Sequence, residues 1–508
     1  MSHYLVAFDT DRIKEYVFAT NVLKEIRGAS RILDDLNCQT MPALVEGRCI
    51  YAHGGSGLFL VESTEQAEQA IARVQQAYAD QTGGAATITG VSLAFSEGQF
   101  TGVWQRLSQK LAYAKMTTPP FHTSVTGPLL RFGDTDGTFY ATEQVNDNSS
   151  ENGQFISRVS DAKRARNTDL RATLEIPEDF DEIAEHSSVS NYFALIVADG
   201  DDMGKVLENC TSLDEIEHTA KGIDQALEAA IDEAIIRFDL PRRSYDTLLL
   251  GGDDLILAVP TQVALPMATL IAEEFSRHCA QTLNLPDVTL SAAVVWAHTS
   301  FPFGTWQEIA SSALTFAKKQ RALVNLRRAE RGLDLVPNES YINFLVISSA
   351  NHLDFEAWYN TDLITDEPDH DYRIVRTLRP YTIYQLDRLL SYRRQLARLP
   401  RSKLEALRQA VFRPGPRQAM IEALRVLVHW RDETTREIIW ELVKQVTLPP
   451  GIDQSAKAMF PFLLTEEADD FHTSKKVQVY RSLLADLAEI WDFTEGGKNE
   501  EGEVNAHQ

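Results

Sequence analysis

The chain has 508 residues, enough for more than one domain of ~100–200 residues, and its 44% hydrophobic content can bury ordinary globular cores. A formal net charge of −24 argues against a general nucleic-acid binder, because affinity for phosphate backbones comes mainly from Lys and Arg. No run of ~18 uncharged apolar residues and no basic-then-apolar leader is present, so a soluble, cytoplasmic protein with no membrane segment is expected. The four cysteines, Cys38, Cys49, Cys210 and Cys279, form no Cys-x-x-Cys pair, which predicts neither a zinc ribbon nor a disulfide framework.

Residues 4–9 predict a strand that ends on Asp9. A helix follows with Ile13, Val17, Leu23, Ile26, Ile32, Leu33 and Leu36 as its apolar set, broken near Arg27-Gly28-Ala29-Ser30. Residues 49–61 read as a hairpin, two apolar runs around a glycine turn. A helix over 64–79, a strand over 86–95 and a helix over 103–115 complete the unit. Residues 133–153, rich in Asp, Asn, Ser and Gly, predict a loop, and 164–190 a small linking element of mixed charge.

The same order then repeats. Residues 192–198 predict a strand, 213–238 a long amphipathic helix, 247–250 and 255–259 a hairpin, 263–282 a helix, 288–297 a strand and 306–331 a helix. Each copy has the β-α-β-β-α-β order of a ferredoxin-like unit. Beyond Pro380, helices are predicted over 384–399, 402–411, 417–430 and 433–446, and the tail from Glu495 reads as disordered. The expected class is α+β: two palm-like domains (1–125 and 191–350) around a link (126–190), then a helical domain (351–494) and a tail (495–508). Residues 373–417 carry an arginine-rich block with only Asp387 and Glu405 as local acids, readable as a partner- or RNA-facing surface or as a solvated helical face.

Two acidic segments carry the chemistry. Asp199 ends the first strand of the second copy, and Gly251-Gly252-Asp253-Asp254 forms the turn of its hairpin. In a ferredoxin-like sheet the first and third strands are antiparallel neighbours, so three carboxylates should converge. Like charges that close require cations, and an all-oxygen cluster suits Mg²⁺ or Mn²⁺ rather than zinc. Two such ions can activate a ribose 3′-hydroxyl and stabilise departing pyrophosphate. Gly251 and Gly252 permit the tight turn and close approach of phosphates. A surface hairpin with exposed acids is the plainer alternative.

The first copy keeps Asp9 but reads His53-Gly54-Gly55-Ser56-Gly57 at its hairpin, so it lacks the acids of a two-metal site. It should be silent in catalysis, with Asp9, Gly54, Gly55 and Ser56 left as nucleotide-binding candidates. Lys318 and Lys319 can reach triphosphate oxygens or form a solvated helix face. Asp201 and Asp202 read as supporting acids or a helix cap, and His298 and His370-Asp371 carry no catalytic assignment.

Asp199-Gly-Asp-Asp-Met-Gly204, Gly251-Gly-Asp-Asp254 and residues 290–298 together resemble the second palm of the large polymerase-like subunit of type III CRISPR effector complexes. Residues 8–18 and 26–33 are similar to its first palm, and residues 379–382 and 399–404 to its C-terminal helical domain. The resemblance implies synthesis of cyclic oligoadenylates from ATP. Asp199, Asp253 and Asp254 would bind two Mg²⁺ or Mn²⁺ ions, and Gly251 and Gly252 would form the phosphate-facing turn; Gly200 is a further candidate metal ligand and Lys318 a candidate nucleotide contact. Guide-RNA complex subunits, or proteins of a related stand-alone defence system, would be partners. The family's HD nuclease domain and zinc-binding cysteine pairs have no counterpart in this sequence, so DNA cleavage is not expected. A diguanylate-cyclase-like enzyme and a catalytically idle nucleotide-binding scaffold are the competing readings.

Overall fold

The computed structural model describes residues 3–96, 100–117, 130–145, 153–171, 174–330, 332, 334–347, 353–367, 372–445, 457–468 and 476–494. The first palm comprises β1 (His3–Asp11), α1 (Ile13–Val17), α2 (Leu23–Asp35), a π-helical turn (Leu36–Thr40), α3 (Met41–Leu44), β2 (Arg48–His53), β3 (Ser56–Val61), α4 (Thr64–Gln81), β4 (Thr87–Phe95) and α5 (Phe100–Thr117). The link holds β5 (Ala141–Val145), β6 (Gln154–Ser157), α6 (Arg158–Arg171) and α7 (Phe180–Glu185). The second palm comprises β7 (Tyr192–Gly200), α8 (Met203–Glu208), α9 (Leu213–Arg237), β8 (Asp246–Gly251), β9 (Asp254–Val259), α10 (Ala264–Thr282), β10 (Leu290–His298) and α11 (Phe303–Glu330).

The sheets are ordered β2-β3-β1-β4 and β8-β9-β7-β10, the same permutation in both copies. The second is extended by β11 (Tyr341–Val346), which runs parallel to β10, and by a two-residue strand, Tyr381–Thr382.

Sequence chemistry explains these elements. In α4, Ala67, Ala70, Val74 and Tyr78 form the buried stripe, and the Ser63 hydroxyl caps the helix by accepting from Gln66 N–H at 3.2 Å. The unbroken apolar run Phe193–Ala198 is fully buried because β7 is covered on both faces. Ala194, Ile196 and Ala198 face α9 and α10, while Phe193, Leu195 and Val197 face α11 and the helices of the first palm. Leu213 and Ile216, at the start of α9, pack in turn on Leu5, Ala7 and Leu58 of the first sheet.

Two expectations for the first palm and the link need correction. The first helix does not break at Arg27–Ser30; the interruption lies between α1 and α2, and Gly28 sits inside α2. Gly28 is there because α6 crosses at that point: a Cβ would stand 1.8 Å from the Lys163 carbonyl oxygen. Gly28→Ala should therefore cost about 1–3 kcal/mol through overpacking, read as a lower Tm with faster amide exchange in α2 and α6. Part of the expected loop is a strand, since β5 pairs antiparallel with β6.

The four helices expected after Pro380 are present as Ile383–Gln395, Arg401–Val411, Pro416–Val428 and Glu433–Gln445. They are joined by a five-stranded sheet ordered Ile364–Glu367, Tyr372–Val375, Lys476–Arg481, Phe462–Ala468, Lys457–Met459. Its strands have three to seven residues, and its two parts meet only through a pairing across about a hundred positions (Tyr372 with Gln478), so no local pattern announces the sheet. His370-Asp371 and the tail from Glu495 lie outside the described residues.

The arginine-rich block divides: Arg394, Arg398, Arg401, Arg413 and Arg417 are exposed, whereas Arg376, Arg379 and Arg393 are buried. Arg379 is fully buried between Asp486 (3.1 Å) and Glu489 (3.0 Å), and Arg393 donates to the Trp491 carbonyl at 2.8 Å. Arg401 reaches the Ala488 carbonyl at 2.8 Å, and Arg376 is buried against Thr365 at 2.7 Å. Arg379, Arg393 and Arg401 hold the closing helix Leu484–Ile490 and the residue after it onto the domain. The acids that pair with Arg379 come from a distant segment, which local charge counting cannot see.

Candidate functional site: an acid cluster between two palms

Asp199 lies at the end of β7, and the β8–β9 turn lies beside it because the two strands pair antiparallel. The register brings Gly200 N–H to the Asp253 carbonyl at 3.2 Å. Gly200 and the turn approach so closely that a Cβ on Gly200 would stand 2.8 Å from the Asp253 Cβ. The turn itself is held from below, where Gly252 N–H donates to Asp224 Oδ1 at 3.0 Å, and Gly252 has the positive φ of 65° that favours glycine.

The result is a concentration of negative charge. Burial and the neighbouring Asp199 and Asp254 push the Asp253 carboxyl up to about 8. Burial and Asp199 push Asp254 up as well, opposed by the cations Lys14 and Lys318. Lys318, from α11, bonds the Asp199 carboxylate and donates to the Gly200 carbonyl at 2.6 Å. Lys14, on α1 of the first palm, stands 3.9 Å from Asp254. Among the described residues, the ligand atoms that all lie within 4.8 Å of one another belong instead to Glu233, Glu274 and His278. Arg277 pairs with both of those glutamates, so that group is a surface ion-pair cluster.

Asp201 and Asp202 support rather than line the cluster. Asp201 is buried, accepts from the Thr289 and Ser291 hydroxyls at 2.8 Å each, and lies 3.3 Å from Arg321. Asp202 occupies the residue before α8 but makes no side-chain cap; it pairs with Arg321 and Lys205, both at 2.7 Å. Lys319 turns away to Glu356, and His298 bonds Ser300 at 2.8 Å.

In the first palm, Asp9 pairs with Ser56 across β1 and β3, and Thr10 N–H meets the Gly55 carbonyl at 2.7 Å. Gly55 and Ser56 thus take the places of Asp253 and Asp254, and Gly54 that of Gly252. The glycines that look alike in sequence are offset by one position in space. Nor is Gly54 open to a ligand on every side: it abuts Gly251, where an added Cβ would lie 2.7 Å from the Gly54 Cα. His53 sits beside this contact with both ring nitrogens buried and unbonded, and burial lowers its basicity.

Between the palms opens a cavity of about 690 Å³ lined by Asp11, Arg12, Lys14, Lys115, Phe139 and Gln307, among others. That volume falls in the range of small-molecule sites. Lys14, Lys115, Asp224 and Arg321 all bear on the site and were absent from the sequence-based candidates. Arg321 had a signal, being one helical turn beyond Lys318 on α11; Asp224 had none.

Fold and site together define a tandem-palm protein of the polymerase and cyclase type. Residues 192–324 match the family described as Cas10/Cmr2, second palm domain. The CRISPR system Cmr subunit Cmr2 of Pyrococcus furiosus is 31% identical over 130 residues, which span 22% of this chain and 15% of that relative. The crystal structure of an apo Csm1–Csm4 cassette superposes with a TM-score of 0.50 at 13% identity, covering 84% of this chain and 65% of that one. A Csm1–Csm4 cassette in complex with cA4 gives 0.50 at 13% identity, with 83% and 64% covered. The chain therefore spans under two-thirds of the length of each of these relatives, and the structural likeness is one of fold. The chain resembles the large polymerase-like subunit of type III CRISPR effector complexes. No helix among the described residues is long and apolar enough to cross a membrane.

Proposed function

We propose that the chain is a metal-dependent nucleotidyltransferase that converts ATP into cyclic oligoadenylate, as part of a type III CRISPR effector or a related defence system in the cytoplasm. The observation that carries this reading is the meeting of Asp199, Asp253 and Asp254 at one end of the second sheet, with Lys318 alongside. The donor set fits a hard divalent cation: three carboxylates and the Gly200 carbonyl are all oxygen, and the mutual repulsion at Asp253 marks negative charge that the protein's own cations leave unbalanced. Two ions of the magnesium class, when bound, would supply activation of a 3′-hydroxyl and neutralisation of an α-phosphate.

The protein's own side chains do the rest. Asp199, Asp253 and Asp254 fix where positive charge can collect, Asp224 holds the turn in place, and Lys318 is within reach of a triphosphate at the mouth of the site. The first palm contributes Lys14 and a wall of the cavity between the palms, which suits the nucleotide that accepts the transfer. Solved relatives bound to cA4 agree in direction with an adenylate product.

Incubating the full chain with each labelled NTP and Mg²⁺ or Mn²⁺, with and without co-purifying RNA, tests this. The expected product is a cyclic oligoadenylate that disappears in the Asp253→Ala/Asp254→Ala variant. Cyclic di-GMP would replace the reading with a diguanylate-cyclase one, and absence of product under every condition would leave a binding scaffold. RNA that co-purifies would point to a guide-RNA complex.

A further inference from the structure

The two palms share more than topology. In the second, the Lys318 ammonium bonds the Asp199 carboxylate and the Gly200 carbonyl. In the first, the Lys115 ammonium bonds Asp9 Oδ2 at 2.6 Å and the Thr10 carbonyl at 3.2 Å. The correspondence continues outward. Asp11 accepts from the Thr87 and Thr89 hydroxyls at 3.0 Å, as Asp201 does from Thr289 and Ser291. Arg12 and Asp202, next in line, both adopt left-handed backbone, with φ of 52° and 58°. Each palm therefore builds one ammonium seat from the acid at the end of its first strand, the next carbonyl and a lysine of its last helix.

What differs is the opposite wall. Across from Lys318 stand Asp253 and Asp254; across from Lys115 stand Gly55 and Ser56. The Lys115 ammonium pairs with Asp9 and lies 3.9 Å from Asp11, with no acid on the wall opposite, whereas the second seat carries two further carboxylates there and keeps excess negative charge. An ammonium and a divalent cation also compete directly for the Asp199 and Gly200 oxygens.

We propose that Lys318 is a displaceable counter-cation: a divalent ion takes its seat on Asp199 and Gly200, and the freed ammonium turns to the triphosphate, whereas Lys115 is a permanent counter-cation in a palm whose opposite wall lacks the acids to hold a metal. This rests on the reading of the second palm as a metal site and adds to it a lysine that opposes the metal before it assists the nucleotide.

Mn²⁺ binding to the nucleotide-free full chain, followed by electron paramagnetic resonance, separates the two ideas. Lys318→Met should bind Mn²⁺ about tenfold tighter or more, the scale expected when a unit charge a few ångströms away is removed. Lys318→Arg, which keeps the charge, should stay near wild type. The same Lys318→Met change should weaken binding of a non-hydrolysable ATP analogue, and Lys115→Met should add no Mn²⁺ equivalent. Unchanged or weaker Mn²⁺ binding by Lys318→Met, with Mn²⁺ still lost in Asp253→Asn/Asp254→Asn, would overturn the lysine proposal and leave the metal site standing. No Mn²⁺ binding by wild type or Lys318→Met would remove the metal site itself.

Discussion

Asp253→Asn in the full chain is expected to lower the rate of nucleotide joining by a factor on the order of 10³ or more, the equivalent of losing several kcal/mol of charge stabilisation in the transition state. It should at the same time raise Tm. In the protein alone, burial and two neighbouring acids make a charge on Asp253 unfavourable, and an amide of the same shape removes that repulsion. The backbone contact from the Asp253 carbonyl to Gly200 N–H is untouched, so the turn should keep its place. Opposite signs for activity and stability are what a functional cluster predicts, because a residue kept for its fold would lose both together. Parallel assays of product formation and thermal melting check this. A variant that is slower and also less stable would mean that Asp253 serves the turn rather than the chemistry.

The second large effect is on the joint between the palms. Arg27, in α2, donates to Asp246 of β8 through Nε at 2.9 Å and Nη2 at 2.5 Å, to Asn167 of α6 at 2.9 Å and to the Pro177 carbonyl at 2.9 Å. Its side chain and that of Asp246 are 6% and 4% exposed, so water cannot replace either partner. One guanidinium thus ties the first palm, the link and the second palm into one unit. Arg27→Met should cost about 3–5 kcal/mol, since it strands a buried carboxylate rather than deleting a pair. Hydrogen exchange should quicken in α2, α6 and β8 together.

The pH dependence has a definite sign. Burial already raises the Asp246 carboxyl while Arg27 pulls it down. Without Arg27 the folded-state value climbs further above the unfolded one, so the folded form holds an extra proton across the interval between them. Stability then falls as pH rises through that interval. The deficit of Arg27→Met should be larger at pH 8 than at pH 5, and Arg27→Met/Asp246→Leu should recover much of it. A deficit independent of pH would assign the loss to packing instead.

How much of this was legible in the residues depends on the range of the interaction involved. The doubled β-α-β-β-α-β order shows because period-two and period-3.6 apolar patterns are local, and both palms take the same strand permutation from it. The places of Asp199, Asp253 and Asp254 show because an acid at a strand end and an acid at a hairpin turn become neighbours whenever the first and third strands pair. Lys318 shows only as a lysine on the following helix; that it bonds Asp199 and Gly200 rather than solvent depends on how α11 lies across the sheet.

Other features belong to the tertiary structure alone. Whether Gly54 or Gly55 stands where Asp253 stands is a matter of strand register, which a shared Gly-Gly in sequence misstates by one residue. Gly28 looks like a helix breaker until α6 is laid against it, and Arg379 looks like part of a charged surface until Asp486 and Glu489 arrive from a hundred residues away. Lys14 faces Asp254 only because the two palms pack with their turns together. Apolar periodicity and turn chemistry are written residue by residue and fix each element. Charge pairing and close backbone approach act between elements, so their partners exist only once the chain has folded.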